Sequence, residues 1–117
     1  MNTLAMLTCV PCRRGEAALT DAEVATMRAE VPDWQLVPEN GIPTLRREFR
    51  PRDFAAALAL ADAVGAAAEA QGHHPRLVVE WGRLTVQWWT HAIGGLHRND
   101  FIMAARTDAL VAAQAGS

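Results

Sequence analysis

Between Pro51 and Pro75 small and apolar residues recur at helical spacing: Phe54, Ala57, Leu58, Ala61, Val64, Gly65 and Ala68. This pattern predicts a helix over residues 52–70, with Asp53 placing negative charge in its first turn and Pro75 ending it. An alanine-rich stripe has short side chains, so whatever covers it must approach closely. The fold therefore needs a layer lying flat against this helix.

The flanking segments supply that layer. Trp34 to Val37 and Thr44 to Phe49 read as strands, with Asn40-Gly41 as the turn signal in a loop of several residues. Arg76 to Glu80 and Arg83 to Thr90 form a second hairpin around Gly82, with Leu84, Val86 and Trp88 on one face. Thr85, Gln87, Trp89 and His91 fall on the other face. Upstream, Thr20 and Glu23 make a capping box for a helix whose stripe is Val24, Met27 and Val31, stopped by Pro32. Asn99 or Asp100 begins a last helix with Ile102, Ala105, Ala109 and Ala112 inward. The order is α-β-β-α-β-β-α. Hairpins alternating with helices predict an α+β layer fold, a four-stranded antiparallel sheet with three helices on one face. Residues 1–18 read as an arm and 19–117 as one domain. At 117 residues, such a domain buries roughly 65% of its unfolded surface, enough for a core without staples.

A net charge of −2 gives no electrostatic footprint for nucleic acid and no polybasic membrane surface. No apolar run is expected to approach the ~18 residues of a membrane span. The N-terminus lacks a basic region ahead of an apolar stretch, so the cytoplasm is the expected compartment.

The chemistry concentrates in EAQGHHPRLVVEWGRLTVQWWTHAIGGLHRND, Glu69 to Asp100, which holds all four histidines. Glu69 and His73 are four apart and on a helix share one face. Pro75 biases His74 toward extended backbone, so His73 and His74 point to opposite sides and take different roles. His91 sits at the far end of the second hairpin, which folds back beside them. Histidine ordinarily titrates near neutral pH, so two in one pocket suit proton delivery and removal.

Glu69, His73, His74, Pro75, Trp81, His91 and Asp100, with the THAIGGLHRNDF run, resemble the pterin-4a-carbinolamine dehydratase family (4a-hydroxytetrahydrobiopterin dehydratase). Leu19-Thr20, Trp34 and FRPRDF fit as well, so the resemblance covers roughly residues 19–112. It implies the same fold, a homodimer or homotetramer, and a hydro-lyase that recycles the pterin of an aromatic amino acid hydroxylase. The pterin is the substrate, and no cofactor or metal is implied. It further implies His73 and His91 as the acid–base pair, and His74 as a catalytic neighbour that mainly binds and positions the pterin. Glu69 would orient His73 or bind a pterin nitrogen, Asp100 would anchor the site or the His91 loop, and Trp81 would pack on the flat ring or the site wall. Gly72, Arg76 and Asn99 depart from the acid, acid and arginine that many or some members carry.

Other readings compete. Members of the family also act as dimerisation partners of a homeodomain transcription factor, and relatives are associated with Rubisco assembly. Glu69, His73 and His91 offer three zinc ligands, but without an HExxH-type motif. The Cys9-Val10-Pro11-Cys12 pair has neither a second pair nor a βαβ context and reads as a reduced, nonessential part of the arm. His97 reads as structural.

Overall fold

A computed structural model of the chain describes residues 3–11 and 16–115. Its elements are α1 (Asp21–Arg28), β1 (Gln35–Glu39), β2 (Ile42–Phe49), α2 (Phe54–Gln71), β3 (Arg76–Glu80), β4 (Arg83–Trp88) and α3 (Arg98–Ala115). The sheet runs β1-β2-β4-β3 with every neighbour antiparallel, and the three helices lie on one face, as the sequence pattern predicts.

Both hairpins close with two residues. Asn40 (φ +53°) and Gly41 (φ +80°) make the first turn, tighter than expected because both prolines lie inside the strands, Pro38 facing Pro43. Glu39 and Ile42 close the turn as a hydrogen-bonded pair, so the next pair out is a non-hydrogen-bonded one, where a missing N–H costs no ladder bond.

The core fills the space between the sheet and the helices. Leu45, Phe49, Leu84, Val86 and Trp88 point inward from the sheet and meet Ala57, Leu60, Ala61, Val64 and Ala68 of α2 and Phe101, Ala104 and Ala105 of α3. Two members of the expected α2 stripe, Phe54 and Leu58, are instead exposed, and Leu60 takes the inward position. The α2 helix also reaches the length and apolarity of a membrane span, although its inward stripe packs on β3, β4 and α3. In α3, Ile102 and Ala105 are buried as expected but Ala109 and Ala112 face outward. The inward line continues instead through Asp108, which accepts from Trp34 Nε1 at 2.9 Å and from Arg47 at 2.7 Å. Burial pushes the Asp108 carboxyl upward, and these two donors oppose that shift. The arm is no loose appendage, because Leu4 is buried and the 3-10 turn Thr3–Met6 packs on α3.

The capping box of α1 forms as predicted. The Thr20 hydroxyl accepts from the Glu23 N–H, and the Glu23 carboxylate accepts from the Thr20 N–H. That backbone hydrogen bond, with the Thr20 hydroxyl assisting, holds the Glu23 carboxyl below its ordinary value. A depressed folded value means that the Glu23 contribution is present above the ordinary carboxylate range and is lost as pH falls through the depressed value. Thr20→Ala should cost about 1 kcal/mol in denaturant unfolding at neutral pH, and less at acid pH where the box is already broken.

Candidate active site

The cleft lies at the end of the sheet where α2 runs into β3 and β4 leaves toward α3. The α2 helix stops at Gln71, one residue past the expected end and four before Pro75, so Gly72 and not the proline ends it. Gly72 adopts φ +62° and its N–H caps the Ala68 and Glu69 carbonyls. An L residue disfavours this left-handed conformation, while glycine adopts it freely. The reversal carries His73 inward and leaves His74 outward, so the adjacent histidines separate as expected.

His73 is 8% exposed. Its ring stacks on Trp88, with centroids 5.8 Å apart and planes at 8°. Its Nε2 lies 2.6 Å from Asp100 Oδ1. A carboxylate only accepts, so Nε2 carries the hydrogen and Nδ1 is the ring nitrogen able to meet a ligand. Asp100 is fully buried in the first turn of α3, where the helix dipole favours negative charge. Its second oxygen accepts from the Thr90 hydroxyl at 2.8 Å and the His97 N–H at 2.9 Å.

That last bond is half of a second capping box. The His97 ring replaces the usual hydroxyl: its Nδ1 accepts from the Asn99 N–H at 3.0 Å, and its Nε2 donates toward Glu16 at 2.7 Å. His97 is therefore a structural residue. Asp100 both starts α3 and orients His73.

His91 follows β4 on an exposed 3-10 turn, His91–Ile93, closed by a bridge between Thr90 and Gly95. Gly94 reverses the chain at φ +60°, and a Cβ on Gly95 would stand 2.9 Å from Ala18 Cβ, so both glycines of the pair are required. The Trp89 ring packs 4.7 Å from that of His91. His74 Nε2 lies 2.7 Å from Glu69 Oε1, and both side chains are exposed. Glu69 thus orients His74 and not His73. The i, i+4 relation does not survive the helix end at Gly72.

His73, His74, His91, Thr90, Gly72 and Asn99 line a cleft of about 410 Å³. The structure does not bring Trp81 to it. That residue is 74% exposed at the β3–β4 turn, the opposite end of the hairpin. Arg76 also points away, onto the outer sheet face, where it pairs with Glu39 at 3.0 Å. Among the described residues no group of three or more His, Cys, Asp or Glu side chains could hold a metal ion.

Sequence reasoning missed one wall altogether. Cys9, Val10 and Pro11 line the cleft together with the histidines. The Cys9 N–H donates to Gln71 Oε1 at 2.8 Å, and Asn99 bonds both backbone groups of Val10. The signal available was indirect, the unexplained Asn99 and the arm itself. Cys12 lies outside the described residues.

A family model described as pterin 4 alpha carbinolamine dehydratase matches residues 17–110. A Chlorobium limicola protein named as a candidate pterin-4-alpha-carbinolamine dehydratase is 57% identical, over 94% of this chain and 97% of its own length. A Syntrophotalea carbinolica protein of the same name is 52% identical, over 95% and 99%. The structure is similar to a Brucella melitensis transcriptional coactivator/pterin dehydratase, with TM-score 0.72 and 28% identity over 80% of this chain and 97% of that one. It is also similar to a pterin dehydratase-like protein identified as a RuBisCO assembly factor in the alpha-carboxysome, with TM-score 0.56 and 25% identity over 67% and 88%. By a family match over most of its length and relatives alike from end to end, this chain belongs to the pterin 4 alpha carbinolamine dehydratase family.

Proposed function

We propose that the chain is a hydro-lyase that converts a 4a-hydroxytetrahydropterin to quinonoid dihydropterin and water. The observation that carries this reading is His73, held by Asp100 through Nε2 and lining one cleft with His74 and His91.

The carbinolamine carries a hydroxyl and an amine nitrogen on one carbon. As the C–O bond breaks, the hydroxyl leaves with its electron pair and takes a proton to become water. The nitrogen lone pair closes a C=N bond and a proton leaves the ring system. One proton is gained and one is lost, so two histidines in opposite protonation states complete the cycle. His73 suits the base: its hydrogen is committed to Asp100, and Nδ1 has a lone pair to offer. His91, on its exposed turn, suits the acid that protonates the leaving hydroxyl. His74, steadied by Glu69, positions the ring. No electrons are transferred, so the reaction requires no redox cofactor. The substrate would come from an aromatic amino acid hydroxylase, and a homodimer or homotetramer fits the exposed apolar side of α2, with Phe54 and Leu58.

A second reading is a non-catalytic assembly or dimerisation partner, supported by that same exposed side and by the two related structures whose names carry such roles. The histidine constellation favours the enzyme. The deciding measurement follows dehydration of 4a-hydroxytetrahydropterin, generated by a hydroxylase, with folded protein beside a heat-denatured control. Acceleration by the folded chain alone is expected. A folded protein that leaves the rate at its uncatalysed value would overturn the dehydratase and favour the partner role.

A further inference from the structure

We infer that the arm forms the apolar wall on which the flat pterin ring lies, with Val10 and Pro11 as substrate-contacting residues and Asn99 and Gln71 as positioning residues that hold them. The inference rests on the dehydratase reading and adds residues to it.

The cleft is lined by imidazoles and by apolar side chains of the arm. The imidazoles provide donors and acceptors, which suit the polar edge of a pterin. A flat heteroaromatic ring also has two apolar faces, and these need apolar contact. Val10 and Pro11 line the same cleft as the histidines, and Val10 is 56% exposed.

Terminal segments ordinarily fray unless something ties them down. Here three side chains grip the backbone at Leu7, Cys9 and Val10. Asn99, 2% exposed, accepts from the Val10 N–H at 3.0 Å and donates to the Val10 carbonyl at 2.6 Å, reproducing a strand bridge with one side-chain amide. Gln71 accepts from the Cys9 N–H, and Arg106 donates to the Leu7 carbonyl. Asn99 immediately precedes Asp100, and Gln71 stands two residues before His73. The two helix ends that place the His73–Asp100 pair therefore also place the wall, and this fixes the gap between wall and imidazoles.

The test measures kcat and KM for 4a-hydroxytetrahydropterin, and calorimetric binding of 7,8-dihydrobiopterin as a non-reacting probe. It compares wild type, Val10→Ala, Gln71→Leu, Gln71→Glu and the Val10→Ala/Gln71→Leu double variant. Removing two methyl groups from a ligand-facing wall should raise KM and the probe Kd roughly tenfold, with a much smaller change in kcat. Gln71→Leu should shift the same two constants in the same direction. Gln71→Glu, which keeps an oxygen for the Cys9 N–H, should restore them. If Gln71 acts through the arm, the double variant should lose less than the product of the single effects. Since Val10 is exposed and Gln71 half-buried, all variants should fold. Turnover with KM and Kd unmoved by Val10→Ala and Gln71→Leu would overturn the wall and leave the dehydratase standing. Folded wild type that neither turns over the carbinolamine nor binds the probe would remove the dehydratase reading and the wall together.

Discussion

Asp100→Asn should lower kcat/KM by about 100- to 10,000-fold while leaving a folded protein. The argument turns on which way the new amide must face. One Asp100 oxygen receives the His97 backbone N–H, a group that can only donate. The asparagine carbonyl is therefore drawn to that side, and its NH₂ turns toward His73. An NH₂ can only donate, so His73 Nε2 must give up its hydrogen and the ring must carry it on Nδ1 instead. Nδ1 then changes from acceptor to donor and can no longer serve as the base. The capping bond to His97 survives, so the melting temperature should fall little. Nitrogen NMR of labelled histidine reads the tautomer directly. A variant that keeps Nε2–H and full turnover would show that Asp100 does not set the protonation of His73.

His91→Ala should lower the dehydration rate at least about 100-fold, for a different reason. His91 is exposed with its ring against Trp89, and its turn is held by the Thr90–Gly95 bridge and by Gly94. Removing the ring should leave the fold and the wall of the cleft in place. What disappears is the donor for the leaving hydroxyl, so one limb of the pH–rate profile should vanish as well as the rate. The site is open at this point, and added imidazole should restore part of the activity. Near-normal turnover in the variant would remove His91 from the chemistry.

Much of the architecture could be read from periodicity and punctuation. The α1 capping box, the Asn-Gly and Gly82 turns and the alternation of Leu84, Val86 and Trp88 all express local rules, and local rules operate on neighbours in sequence. The misreadings arise where a distant partner changes the meaning of a residue. Asp108 looks like a surface acid until Trp34, just ahead of β1, and Arg47 of β2 reach it, and its inward place turns Ala109 and Ala112 outward. Phe54 and Leu58 look like core by spacing, but the sheet covers only the Leu60 side of α2. In the cleft, His73, His74 and His91 do line one cavity. The pairing within it was not legible, because His73 and Asp100 are 27 positions apart and the left-handed Gly72 cancels the spacing that links His73 to Glu69. Trp81 follows from the same geometry: a hairpin that places His73 and His91 at its open end carries its turn residue to the other.

Enzymes commonly trade robustness for activity, because a reactive group is often held in an arrangement the fold would otherwise avoid. The carboxylate of Asp100 escapes that conflict. One oxygen of this carboxylate holds the start of α3 through the His97 N–H while the other aims His73, so the helix start and the imidazole hang on one side chain. For anyone seeking a hardier variant of this protein, the α3 N-terminus is a place where a change that loosens the helix start should also lower turnover, whereas Asp100→Asn should lower turnover without loosening it.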